Sequence, residues 1–192
     1  IRRPPRSPLV PYTTLFRSVS TRITTSKGKL HLQEYWVKYR GMDPVEGIEY
    51  EGIEKARPNP EAINAIHDSE LVIIAPGNPL TSIGPMMAMK GIKKELSKNK
   101  RKVVAVSPII GDKAVSGPAG KYMEAAGIEV SAYGVAKWYA EVCTKLVIDT
   151  RDRMQTKKIE SLNLSVYDTK IKMTNKKDED ALASFLLKQI RI

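Results

Sequence analysis

Leu71–Ala75 reads LVIIA and runs directly into Pro76-Gly77-Asn78-Pro79. A short continuous apolar run, β-branched at Val72, Ile73 and Ile74 and closed by a breaker, is the pattern of a strand buried on both faces. Val103–Val106 (VVAV) repeats the pattern and ends in Ser107-Pro108. Between them Met86–Leu96 reads as a helix. Two buried strands joined by a helix form the unit of a parallel sheet, since parallel neighbours need a crossover connection.

The alternation continues outward. Downstream, a helix is expected from about Pro118 to Ala126, stopped by Gly127. Ile128–Ala132 follows as a strand, Ala136–Val142 as a helix and Leu146–Ile148 as a strand. Met154–Leu162 reads as a helix, Leu164–Tyr167 as a strand and Asp178–Ile190 as a closing amphipathic helix. Upstream, Asn59 is placed to cap a helix from Pro60 to about His67. Val45–Ile53 alternates as a half-exposed strand, and Leu30–Val37 (LHLQEYWV) has strand character. The pattern predicts an α/β fold: a Rossmann-like, mostly parallel sheet with helices on both faces. Residues 19–192 show no internal repeat and no linker, so they read as one domain.

Residues 1–18, IRRPPRSPLVPYTTLFRS, do not fit this pattern. Four prolines and four arginines interrupt every element. A disordered basic arm and a nucleic-acid or targeting tail are two readings of such a string. A third is favoured: it resembles a translated sequencing-library adapter. On that reading native sequence begins near Val19 and the first strands of the domain are missing. An exposed sheet edge or apolar patch is then expected.

The 192 residues are 42% hydrophobic and 28% charged, with 32 basic against 21 acidic side chains. Four of the basic residues lie in residues 1–18, which contain no acid. The remaining excess suits a phosphorylated small molecule as well as a polyanion. Lys98–Lys102 (KNKRK) lacks interleaved aromatic residues and lies at a helix end, so no nucleic-acid partner is expected. No apolar run approaches the roughly 18 residues of a membrane span, so no membrane association is expected. One cysteine, Cys143, and two histidines, His31 and His67, offer neither a disulfide framework nor a multi-cysteine zinc site. Cys143 is expected to be buried and inert, and His31 structural. A cytoplasmic location is the expectation.

Ligands of parallel sheets bind beyond the carboxyl ends of the strands, which directs attention to two loops. In Pro76–Pro85, Gly77 permits close backbone approach, Thr81 and Ser82 offer hydroxyls, and the following helix start offers N–H groups. These features suit a diphosphate, and they equally suit an ordinary turn capped by Thr81 or Ser82. In Ser107–Pro118, Lys113 offers a point charge for phosphate or is simply solvated, and Asp112 can bind a metal or cap a turn. Tyr35 and Trp36 can stack on a planar ring, or belong to the core.

Three stretches carry a resemblance. Ala75–Leu96 (APGNPLTSIGPMMAMKGIKKEL), Val103–Val142 (VVAVSPIIGDKAVSGPAGKYMEAAGIEVSAYGVAKWYAEV) and Leu30–Gly41 (LHLQEYWVKYRG) resemble the 2-phospho-L-lactate transferase (CofD) family over roughly residues 19–190. The resemblance implies an enzyme of coenzyme F(420) biosynthesis. Such an enzyme moves a phospho-lactyl or phosphoenolpyruvyl group from a guanosine diphosphate ester to the ribityl hydroxyl of a 5-deazaflavin alcohol, releasing GMP. It further implies that Gly77, Asn78, Thr81 and Ser82 meet the donor's nucleotide or phosphates, with Ser107, Gly111 and Lys113 in the same diphosphate zone. Tyr35 and Trp36 are assigned to the acceptor, Mg2+ to the diphosphate, and a homodimer is carried as an expectation. General base and metal ligands are unassigned. The family's opening strand and glycine-rich phosphate loop have no counterpart here, which puts turnover by this chain in doubt. A YvcK-like nucleotide-sugar-binding regulator is the alternative; Asn78-Pro79 stands where that group resembles GPGSLYTSI, and this favours the transferase.

Overall fold

The computed structural model describes residues 19–115 and 117–190, so the expectations for residues 1–18 lie outside the described residues. Three strands at the start form an antiparallel sheet in the order β2-β1-β3: β1 (Ser20–Thr25), β2 (Gly28–His31) and β3 (Gly47–Glu51). In β1, Thr21, Ile23 and Thr25 are buried and the residues between them are not, which is the period of a strand with one face on a core.

The parallel sheet follows: β4 (Val72–Ile74), β5 (Val103–Val106), β8 (Lys145–Asp149) and β9 (Ser165–Thr169), in the order β4-β5-β8-β9. Its register places Ile73 beside Val104, Ala105 beside Leu146 and Val147 beside Tyr167. Between β5 and β8, β6 (Ile109–Ile110) and β7 (Lys113–Ala114) form a small antiparallel hairpin. The helices are α1 (Pro60–Asp68), α2 (Gly84–Ala88), α3 (Ile92–Lys98), α4 (Ala119–Ala125), α5 (Ala132–Tyr139), α6 (Thr156–Glu160) and α7 (Lys176–Gln189).

Strands in sequential order with right-handed crossovers put the connecting helices on one face. Val103, Ala105, Leu146 and Ile148 accordingly pack with Leu96 of α3, Val135 and Tyr139 of α5 and Ile159 of α6. The opposite side chains, Val104, Val106 and Val147, pack with Leu182, Leu186 and Ile190 from the α7 region. Helices thus cover both faces, unequally.

Several expectations are corrected. The strand over Leu30–Val37 stops at His31, and Glu34–Lys38 forms a wide π-helical turn. The Tyr35 ring is buried there, with its hydroxyl donating to the Gly41 and Asp43 carbonyls at 3.0 and 2.7 Å. β4 is not buried on both faces. It lies at the end of the sheet among the described residues, and Ile73 is 41% exposed. The Met86–Leu96 helix is two helices, broken where Gly91 takes φ 112. Ile128–Ala132 is not a strand, because Ser131 caps α5 by accepting from Gly134 N at 3.0 Å. The expected Ala136–Val142 helix therefore begins earlier, at Ala132. Met154–Leu162 divides into a 3-10 turn over Thr150–Gln155 and then α6.

The capping expectation at Asn59 holds, with its side chain accepting from Glu61 N at 2.9 Å. Cys143 is buried, and burial pushes its thiol up to about 12. No helix among the described residues is long and apolar enough to cross a membrane.

Where β8 ends, Asp149 is 2% exposed and ties three segments together. Its carboxylate accepts from Arg151 N and Arg151 Nε at 3.2 and 2.7 Å and from Ile171 N at 3.3 Å. Burial works to raise its pKa, but these donors together hold it below the usual carboxylate value. A depressed folded pKa contributes stability above the unfolded pKa and loses it as pH falls. Asp149→Asn is therefore expected to cost about 1–2 kcal/mol at pH 7. The difference from wild type should begin to shrink below about pH 4, where the unfolded carboxylate takes up a proton, and vanish only once the folded carboxylate protonates as well. Urea denaturation at pH 7 and pH 3.5 measures both; a pH-independent difference would contradict the charge account.

Candidate functional site

The first loop leaves the carboxyl end of β4 and tightens into a π-helical turn over Pro79–Ile83. Asn78 organises it. Its Oδ1 accepts from Leu80 N and Thr81 N at 3.0 and 3.2 Å, and its carbonyl accepts from Ser82 N and Ile83 N, both at 3.0 Å. One residue thus satisfies four successive amides. The expectation of open N–H groups at this turn is corrected: Asn78 occupies them. The groups left for a ligand are the Asn78 side-chain NH2 and the hydroxyls of Thr81 and Ser82, which have no hydrogen-bond partner among the described residues. Gly77 has room for a side chain, since a Cβ there would meet Ile83 Cδ1 at 3.4 Å.

The second loop leaves the neighbouring strand β5. Ser107 is fully buried; its N–H donates to Val147 O at 2.9 Å and its Oγ accepts from Ile109 N at 3.1 Å. The β6–β7 hairpin turns at Gly111-Asp112, with Gly111 at φ 64, a conformation that favours glycine. Gly111 N donates to both oxygens of Asp152, at 2.9 and 3.1 Å. Asp152 is 3% exposed; burial raises its pKa, and the Gly111 bond opposes the rise. Gln155 continues the chain of contacts, donating to Asp152 at 3.2 Å and accepting from Tyr133 N at 2.9 Å. The hairpin is in this way fastened to the 3-10 turn after β8.

A cleft of about 320 Å3 lies between the loops and has three walls. Pro76, Gly77, Asn78, Thr81 and Ser82 form the first. Pro108 and the start of α4, from Gly117 to Ala119 with Tyr122, form the second. Leu32, Gln33 and Trp36, delivered by the antiparallel sheet and its π-helical turn, form the third. Tyr35 and Tyr122 meet behind it with ring centroids 6.2 Å apart, and Lys121 Nζ donates to Gly41 O at 2.9 Å. The lining residues carry no formal charge. They offer small polar groups on one side and the half-exposed Trp36 ring on the other.

Of the residues singled out in the sequence, Gly77, Asn78, Thr81, Ser82 and Trp36 meet in this cleft. Tyr35, Ser107, Gly111 and Lys113 do not line it. Tyr35 and Ser107 are core residues with internal hydrogen bonds, while Gly111 and Lys113 are exposed on the hairpin. Gln33, Tyr122, Asp152 and Gln155 were not singled out. Gln33 lay inside an expected strand, and Asp152 sits between two arginines with no apolar period around it.

The molecule is thus an α/β protein whose candidate ligand cleft lies at the carboxyl ends of two adjacent parallel strands, roofed by a small antiparallel sheet. The family model described as 2-phospho-L-lactate transferase CofD matches residues 5–187, and the chain belongs to this family. It is 44% identical over 163 residues to the 2-phospho-L-lactate transferase of Methanosarcina mazei, covering 84% of this chain and 53% of that protein. The corresponding protein of Methanocaldococcus jannaschii is 48% identical over 130 residues, 68% of this chain and 41% of the relative. That of Methanopyrus kandleri is 39% identical over 173 residues, 88% and 54%. The chain spans about half the length of these curated relatives.

Proposed function

We propose that this chain carries the donor side of a phospho-lactyl (or phosphoenolpyruvyl) transferase of coenzyme F(420) biosynthesis. The donor is a guanosine diphosphate ester of the three-carbon acid, and the acceptor is a 5-deazaflavin alcohol. The acceptor's ribityl oxygen bonds to the phosphorus bearing the acid, the bond from that phosphorus to the oxygen of GMP breaks, and the hydroxyl proton passes to a base or to water. GMP departs with the electron pair. Chemistry of this kind depends on placing the two substrates and stabilising charge on the phosphates. The meeting of Asn78, Thr81 and Ser82 in one cleft, in a chain of this family, is the observation that carries the reading. Their hydroxyls and amide are directional donors for phosphate oxygens, and Trp36 offers a face for a planar ring.

The family resemblance implies Mg2+ as well. Mg2+ bound with phosphates takes one or two protein carboxylates. The described lining residues include no carboxylate, and no three His, Cys, Asp or Glu side chains group together among the described residues. These residues do not fit a resident Mg2+, and the chemistry ascribed to the chain runs through its own polar groups. The reading rests on one copy of the cleft and calls for no contribution from a second copy.

Titration calorimetry with guanosine diphosphate tests the proposal. Asn78→Ala should weaken binding about ten- to a hundredfold, through loss of hydrogen bonds to a charged ligand and of the cap on Leu80 and Thr81. Lys98→Ala should leave it within about twofold. Lys98 is an exposed residue at the end of α3, 3.6 Å from Glu95, and the chain runs from there into the amino end of β5, away from the strand carboxyl ends that frame the cleft. Equal effects at the two positions would remove the case for this cleft as the donor site.

A further inference from the structure

The first wall of the cleft is fastened twice. Asn78 holds the amides of the Pro79–Ile83 turn, and Tyr50 of β3 holds a carbonyl: its hydroxyl donates to Leu80 O at 2.5 Å. Burial raises the Tyr50 pKa to about 12, so the hydroxyl stays protonated and remains a donor across the physiological range. The approach is close enough to dictate the neighbouring residue. A Cβ on Gly84 would lie 1.9 Å from the Tyr50 hydroxyl oxygen and 3.0 Å from the Pro79 carbonyl oxygen. The turn so held is a wide one, closed by Ile83 N on Asn78 O, a rare geometry that is frequent at functional sites.

We propose that Tyr50 is a positioning residue for the cleft: through the Leu80 carbonyl it sets where the Thr81 and Ser82 hydroxyls stand toward a bound nucleoside diphosphate. The inference rests on the reading of this cleft as the donor site. It gives the antiparallel sheet a second part in the site, beyond the wall built from Leu32, Gln33 and Trp36.

Tyr50→Phe removes one oxygen and keeps the ring, and Tyr139→Phe is the control. Tyr139 is also buried, on α5, and its hydroxyl has no partner among the described residues. With guanosine diphosphate titrated at 25 °C, well below melting, Tyr50→Phe should weaken binding at least about fivefold. The amides of residues 80–84 should exchange faster with solvent deuterium. Tyr139→Phe should change neither. A lower melting temperature for Tyr50→Phe with unchanged affinity would make Tyr50 a structural residue only and overturn the inference while leaving the donor site intact. No binding by the wild-type chain would overturn the donor-site reading, and the inference with it.

Discussion

Gly134→Ala is expected to destabilise the chain by about 3 kcal/mol or more, although alanine is ordinarily the better helix former by about 1 kcal/mol. Gly134 is the third residue of α5, and its Cβ would lie 1.9 Å from the Glu129 carbonyl oxygen and 2.8 Å from the Glu129 carbonyl carbon. Both are backbone atoms, so no side chain can rotate away to make room. Residues 128–131 would have to move off the helix, taking with them the Ser131 cap on Gly134 N. Ala132, Val135, Ala136 and Tyr139 of the same helix are all buried against the sheet, so the helix cannot retreat instead. Guanidinium denaturation measures the loss. A variant as stable as wild type would mean that the 128–131 segment does not pack this closely on α5.

Gly84→Ala should reverse the helix-propensity gain for a related reason, and should disturb the cleft as well. Gly84 has ordinary helical angles, φ −51 and ψ −50, so its own backbone does not require glycine. The added methyl would collide with the Tyr50 hydroxyl and ring, the latter at 2.9 Å, and approach Pro79 O. Tyr50 must then leave Leu80 O. A net loss of about 2–3 kcal/mol is expected, lowering the melting temperature by about 5–10 °C. Affinity for guanosine diphosphate should fall at least about tenfold, since the turn loses its carbonyl tie as well as its place. In a Tyr50→Ala background the same substitution should cost much less, and the double-mutant cycle reads that coupling directly. Additive effects would show that Tyr50 and Gly84 do not press on each other.

The two glycines show where reading the chain alone stops. Gly127 was readable as a helix stop, because a glycine after an apolar helical run has a local meaning; it takes φ 69 just beyond α4. Gly84 and Gly134 carry no such local mark. Gly84 is required by Tyr50, which lies far along the chain and cannot be placed without the fold, and Gly134 by the bend that carries the Glu129 carbonyl onto the start of α5. The aromatic pair behaves in the same way. Tyr35 and Trp36 are adjacent and both suit a strand or a stacking surface, yet one is fully buried and the other is on the cleft. A π-helical turn separates their directions, and nothing in strand periodicity announces it.

Covalent periodicity and local hydrogen bonding write one set of features into the chain directly. These are the buried strand Val103–Val106, the Asn59 cap before Pro60, the strand–helix alternation and the two loops that follow β4 and β5. Each arises within a few residues, where the side chains of one segment already face its own backbone or one core. Only the packed fold brings the loop residues into one cleft, anchors Gly111 on Asp152 and supplies the third wall from an antiparallel sheet. Those contacts join residues such as Tyr50 and Leu80, or Gly111 and Asp152, that are distant along the chain. Their geometry follows from how whole sheets and helices pack, and close packing is sensitive to single atoms in a way that sequence pattern is not.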